Sequence, residues 1–284
     1  MTKTTNNGTN LPAAQTSGSA LMVIDYGDDE GCGMENISRD EFKIPLMRIL
    51  QSNSPQCKPV SAGGTEGAVA GMIYNTATGE MWSGENGLLF IPVDRDHNYI
   101  EYVPRDAGGG FVGTYDIDDP VVGNLREKQG KFGKLTMDSG NELVETFYLF
   151  GLIIPPDGTT IQGVVPFTST QISKYQAFMT RYQSITYPNA AGKKVRPPLW
   201  AHRWKLGTVY QQNKKGQFFG WTLKLKSEPP VSCRMRLDDE LYQQGRAFYE
   251  LLKEGKARVE HSAGGGNPDG ASGGGAAGGE EIPF

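Results

Sequence analysis

The sequence predicts an α+β fold that is mostly β. Short apolar runs of strand length recur between Gly, Pro and Asp from residue 72 to 167, while a helical period emerges clearly only over 169–185 and 237–258. Setting aside the low-complexity ends leaves a body of about 220 residues, enough for one substantial core. The expected organisation is an N-terminal segment over 1–36 that is too polar to fold alone, a single β-rich domain over 37–259 and a Gly-rich tail over 260–284.

Each element has its own signal. Ser38 and Glu41 have capping-box spacing and Pro45 suits a first helical turn, predicting a short helix over 45–52. Residues 72–74 and 80–82 flank the loop from Asn75 to Gly79 and predict a hairpin. Strands follow over 88–93, 99–103, 110–115, 143–154 and 160–167. In the helix over 169–185, Ile172, Tyr175, Met179 and Tyr182 form one apolar stripe that faces the core. The last helix, over 237–258, opens with Asp238, Asp239 and Glu240 and closes with Lys253, Lys256 and Arg258, matching the helix dipole at both ends.

The overall charge of −4 conceals a partition. Residues 1–159 hold 11 Lys/Arg against 22 Asp/Glu, whereas residues 160–260 hold 17 against 7. Between Asp157 and Glu228 there is no acidic residue, yet that stretch carries eleven Lys/Arg and eleven aromatics. Cations there can replace counterions on phosphates while rings stack on unpaired bases, so the pattern suits nucleic acid.

A hairpin concentrates this chemistry. Residues 199–210 and 217–226 are extended runs joined by a basic loop. Strand alternation puts Trp200, His202, Trp204, Leu206 and Tyr210 on one face of the first run, with Arg203 and Lys205 on the other. On the second run Phe219, Trp221, Leu223 and Leu225 face the core, opposite Phe218, Thr222, Lys224 and Lys226. A turn centred on Asn213 and Lys214 sets Arg203 across from Lys224; a turn at Lys215 and Gly216 sets Lys205 across from Lys226. Both registers oppose like charges, which a sheet tolerates poorly and an anionic ligand would relieve. The expected backbone contacts are therefore Arg203, Lys205, Lys224 and Lys226, with Lys214 and Lys215 at the tip and Lys193, Lys194 and Arg196 on the preceding loop. Phe218 is the expected stacking residue. A bulge would mix the faces and turn Trp200 or Trp204 outward instead.

Other chemistry finds little support. Gly108, Gly110 and Gly113 satisfy a G-x-G-x-x-G pattern, but the residues from Thr114 to Pro120 do not open a helix as dinucleotide binding requires. His97, His202 and His261 have no close Cys partners for zinc. Asp94, Asp96, Asp116, Asp118 and Asp119 could hold magnesium for phosphodiester cleavage, but suit turns and solvated strand ends better. The expectation is a binding protein with no catalytic residues, metal or cofactor. Cys32, Cys57 and Cys233 have no paired spacing, the first 20 residues lack the apolar run of a signal peptide, and no apolar segment is long enough to cross a bilayer. A reducing bacterial cytoplasm is the expected setting.

The tail ends in Glu280-Glu281-Ile282-Pro283-Phe284, behind a stretch from His261 to Gly279 with nine glycines and one charge, Asp269. Two carboxylates, a terminal carboxylate, a restricted proline and an aromatic ring suit an apolar pocket rimmed by Arg or Lys. This tip resembles the C-terminus of bacterial single-stranded-DNA-binding proteins, and the chain as a whole looks like a phage-type version with a larger β-rich domain. The resemblance covers about the last 25 residues and implies recruitment of replication or repair proteins through Glu280, Glu281, Ile282, Pro283 and Phe284. It also implies an oligonucleotide-binding (OB-like) barrel with peripheral helices, and sequence-tolerant binding of single-stranded DNA in replication, recombination or repair. A metal-dependent nuclease and a viral structural or scaffold protein are the rival classes.

Overall fold

The computed structural model describes residues 43–130, 135–213, 216–254 and 258–259. In chain order these form β1 (Lys43–Ile44), β2 (Met47–Ile49), β3 (Ile73–Asn75), β4 (Met81–Trp82), β5 (Leu88–Tyr102) and β6 (Phe111–Asp116). Next come α1 (Pro120–Gln129), β7 (Leu135–Thr136), β8 (Glu142–Ile154), β9 (Ile161–Thr168) and α2 (Ile172–Gln183). The remainder are β10 (Tyr187–Pro188), β11 (Lys194–Val195), β12 (Trp204–Asn213), β13 (Gly216–Leu225), α3 (Glu240–Lys253) and β14 (Arg258–Val259). The fold is α+β and mostly β, and no helix among the described residues is long and apolar enough to cross a membrane.

β5 and β8 form the spine, antiparallel from Leu89 opposite Ile154 to Tyr102 opposite Glu142. β12 and β6 share the free edge of β5, at its start and end respectively, while β9 and β7 divide that of β8; β13 lies outside β12. The register shifts between Pro92 and Asp94, so Val93 is an extra residue. Proline has no N–H for the ladder, and a bulge accommodates it there. The shift exchanges faces: Leu88 and Phe90 belong to one core, while Ile100 and Tyr102 belong to the other. β5 is therefore one bulged strand where the sequence predicts two.

Each face of this sheet is covered. On one, Tyr175 and Phe178 of α2 meet Phe90, Leu149, Phe167, Trp204 and Trp221; on the other, Phe248 of α3 meets Ile91, Val93, Leu152 and Val164. Burying each such side chain is worth about 1.5–3 kcal/mol, so the two cores dominate stability. A smaller cluster under α1 joins Tyr99, Val122, Leu125, Leu135 and Leu143.

Side chains span the gap between the outer edges of β13 and β9, where no ladder forms. The indole Nε1 of Trp221 donates to the Pro166 carbonyl at 3.0 Å, and the Trp221 amide donates to Gln171 Oε1 at 2.8 Å. The Gln51 carboxamide pairs with the backbone of Phe219, donating to its carbonyl and accepting from its amide, both at 2.9 Å. Three backbone groups of an edge strand are thereby satisfied without another strand.

The hairpin around Asn75 to Gly79 forms as expected: Asn75 Oδ1 accepts from Ala77 N at 2.9 Å, and Gly79 takes φ +77°. The helix expected over 45–52 does not. Met47 to Ile49 instead pair with β3, and Leu46 bridges Val164, because Ile44, Leu46 and Met47 gain more by inserting into the two cores than one local turn offers. Ser38 and Glu41 lie outside the described residues. α1 replaces the turn expected at Asp118 and Asp119; Asp119 Oδ1 accepts from Val121 N at 2.8 Å as the N-cap, with Pro120 following. The final helix is shorter than expected, starting after the N-cap Asp239, whose side chain accepts from Leu241 N, and ending at Lys253.

Candidate nucleic-acid interface

β12 and β13 pair from Trp204 opposite Leu225 to Asn213 opposite Gly216, leaving a two-residue connection at Lys214 and Lys215, which lie outside the described residues. Neither expected register occurs. The ladder sits between them and places Lys205 directly opposite Lys224, so like charges are again opposed. The inward set is as alternation requires near the base of the hairpin: Trp204, Leu206 and Trp221 are buried. Lys205, Lys224 and Lys226 are exposed on the reverse face. The Lys205 stem crosses Gly87, where an added Cβ would come within 2.7 Å of Lys205 Cε, so a glycine there leaves room for the lysine to lie along the sheet. Among the described residues no carboxylate pairs with any of these three lysines.

Two residues expected on the open face are placed differently. Arg203 does not join the strip: its guanidinium bonds to Asp239, the residue that also caps α3, and both are mostly buried. Alternation gave its side of the chain correctly but could not reveal a partner 36 residues away. Phe218 is buried, at 7 % exposure, and presents no open ring for a base. The face that carries the lysines is covered toward the hairpin tip, where a Cβ on Gly220 would meet the Gln171 amide at 2.6 Å and Gln211 at 3.0 Å. The exposed aromatic is Tyr210, at 49 %, which the sequence assigned to the core. It stands edge-on to Phe219, with ring centroids 5.7 Å apart, on the face opposite the lysines. Its nearness to the turn was the available signal, since a hairpin end outruns its core.

Lys193, Lys194 and Arg196 are exposed on and beside a separate ribbon formed by β10 and β11. Asn189 Oδ1 accepts from Ala191 N and Lys193 N, each at 3.0 Å, which fixes the connecting turn. Two tyrosines anchor the ribbon. Tyr182 of α2 donates to the Pro197 carbonyl at 2.7 Å; burial pushes its phenol pKa up, while the Arg196 charge opposes that rise. The Tyr187 hydroxyl and His202 Nε2 share a hydrogen bond of 2.8 Å and the two rings stack, while Arg234 stands 4.6 Å from the Tyr187 ring centre. His202 is fully buried, and desolvation, assisted by Arg234, pulls its pKa down to about 4. The ring is therefore neutral at pH 7, with one nitrogen left to donate and the other to accept.

The acidic residues are dispersed in roles of their own. Asp119 caps α1, Asp96 accepts from Asn98 Nδ2 at 2.7 Å, and Asp157 closes a turn through Thr159. No group of three or more His, Cys, Asp or Glu among the described residues is placed to hold a metal ion. The docking tip, Glu280, Glu281, Ile282, Pro283 and Phe284, lies outside the described residues.

No curated protein and no solved structure matches the chain. A family model described as Pam3 phage gp34-like protein matches residues 14–258, which takes in β1 to α3 and every basic residue of the expected interface but stops short of the tip. By that match, which spans most of its length, the chain belongs to the Pam3 phage gp34-like family.

Proposed function

We propose that this protein binds single-stranded DNA without strong sequence preference and recruits replication or repair proteins through its C-terminal tip. The observation that carries the reading is the strip Lys205, Lys224 and Lys226: exposed, borne on a rigid ladder, and opposed to like charge with no carboxylate among the described residues to relieve it. Phosphates relieve it. Lys193, Lys194 and Arg196 add a second cationic segment, and Tyr210 replaces Phe218 as the stacking residue, reached where the strand passes the hairpin tip.

The accompanying fold reading is a partly open, OB-like barrel. Support comes from the bulge that redirects β5 and from the Trp221, Gln171 and Gln51 side chains that span the interval between β13 and its neighbours.

A fluorescence titration with labelled single-stranded DNA, in competition with duplex across a salt series, tests the function. About five engaged cations give a slope of log affinity against log salt of about −3.5. Binding that ignores salt, or that prefers duplex, overturns the proposal. Magnesium-dependent loss of the labelled strand would favour a nuclease instead.

A further inference from the structure

An open cleft of about 540 Å³ lies beside the start of α3, and Lys205, Lys224 and Lys226 are not among its lining residues. Pro198, Met235, Leu237 and Tyr242 give it an apolar lining, and Arg234, Arg236 and Asp238 supply its charges. Leu237, one of the lining residues, is 71 % exposed and so presents its side chain to whatever enters the cleft.

Three features narrow the occupant. Arg234 has no carboxylate partner among the described residues. Among the described residues the Arg236 side chain pairs with Asp238 alone, through bonds of 2.8 and 3.0 Å, and side chains exposed by 84 % and 69 % make that pair easy to exchange. Tyr187, which also lines the cleft, already has its ring engaged by His202 and Arg234, so it offers little to a nucleobase. What remains is a place for apolar side chains beside two exchangeable cations. The chain's own tip has the complementary chemistry: Ile282, Pro283 and Phe284 next to the carboxylates of Glu280 and Glu281.

Length permits the return. The 14 residues of α3 span about 21 Å at 1.5 Å per residue, and a Gly-rich chain of the 25 residues beyond Val259 has a root-mean-square span of roughly 25–30 Å. Tethering supplies an effective concentration in the millimolar range, which favours the chain's own tip over that of a neighbour.

We infer that the cleft formed by Tyr187, Pro198, Met235, Leu237 and Tyr242 holds the Ile-Pro-Phe tip of the same chain, with Arg234 and Arg236 binding its carboxylates. This rests on the reading of the tip as a docking peptide and adds its regulation. A partner must compete with the cleft for the tip, so recruitment is graded by partner concentration and by salt. The lysine strip remains open to DNA in both states.

Hydrogen exchange of the full chain tests this against a chain carrying Ile282→Ser and Phe284→Ser, whose changes lie outside the folded core. In the parent at low salt, amides of residues 199–202 and 234–242 should exchange about tenfold more slowly than in the variant, for a tip affinity of order 0.1 mM against a millimolar effective concentration. Added peptide Glu-Glu-Ile-Pro-Phe should restore protection to the variant, and Arg234→Glu should abolish it in the parent. Equal exchange in parent and variant, with no response to the peptide, overturns the inference. Titrating the same variants with single-stranded DNA separates the two proposals: an unchanged salt slope alongside equal exchange removes the cleft and leaves the DNA reading standing, whereas tip-dependent protection in a chain that binds no DNA does the reverse.

Discussion

Lys205 stands directly opposite Lys224 in the β12–β13 ladder, with Lys226 two residues further along the same face. Opposed cations weaken a sheet, so Lys205→Glu creates a favourable cross-strand pair and should raise stability by about 0.2–1 kcal/mol in urea unfolding. The same change should weaken single-stranded DNA binding and reduce the salt slope by about 0.7 for the phosphate contact removed. Opposite signs for stability and affinity mark a residue kept for its ligand. A variant that gains stability with its DNA affinity intact would remove Lys205 from the interface.

Arg203 behaves differently because its charge is committed to Asp239. Arg203→Ala should lower stability while leaving the salt slope unchanged. Asp239→Ala loses both the ion pair and the cap on Leu241 N, and losing the cap alone should cost about 0.5–2 kcal/mol. Denaturant unfolding and DNA titration of the two variants provide the check; a reduced slope for Arg203→Ala would return it to the strip.

Tyr210 and Phe218 make a matched contrast, one 49 % and the other 7 % exposed. Tyr210→Ala should weaken DNA binding by about 1–3 kcal/mol with little change in stability. Phe218→Ala should instead destabilise the fold by about 3–5 kcal/mol. If Tyr210→Ala binds DNA as the parent does, stacking does not occur on this hairpin.

What the sequence revealed, and what it hid, follows the range of the interactions. Strand period, the Asn75 to Gly79 turn and the existence of α3 rest on local chemistry, which placed them, although the ends of α3 lie inside the expected 237–258. Asp119-Pro120 was an equally local helix start, missed because a cluster of aspartates around it reads as a turn. The segment over 45–52 failed for the converse reason: its helical signal was local, but Leu46 and Met47 are claimed by β9 and β3, more than 25 residues away. The site divides along the same line. Lys205, Lys224 and Lys226 lie on the exposed face that alternation gave them, because alternation needs no distant partner, whereas the pairing of Arg203 with Asp239 and the burial of Phe218 rest on contacts that no local pattern shows.

His202 predicts a pH dependence. Its folded pKa of about 4 lies below the ordinary 6.5, so between these values the unfolded chain takes up a proton that the folded chain refuses. The stabilisation from keeping this ring neutral is complete above about pH 6.5, is lost progressively as pH falls to about 4, and changes no further below that. A shift of this size corresponds to about 3 kcal/mol over the window. His202→Gln should flatten that part of the stability profile, measured by urea unfolding from pH 4 to pH 7; a variant profile as steep as the parent's would assign the loss to other groups.

Gln51 tests whether side chains really secure the outer edge of β13. Its carboxamide makes two bonds to the Phe219 backbone, and at 9 % exposure water cannot readily replace it. Gln51→Leu keeps much of the volume and leaves a buried N–H and C=O unpaired, which should cost about 1–3 kcal/mol for each group left without a partner. The loss should be local: the Phe219 amide should exchange faster with solvent, while amides of the spine, such as those of Leu149 and Leu152, should slow or quicken only with global stability. The hairpin carries the lysine strip on its reverse face, so loosening this edge should also weaken single-stranded DNA binding without changing the salt slope, because the number of cations is unaltered while their alignment is lost. A Phe219 amide that remains as protected as in the parent would show that the edge is held by something other than this carboxamide.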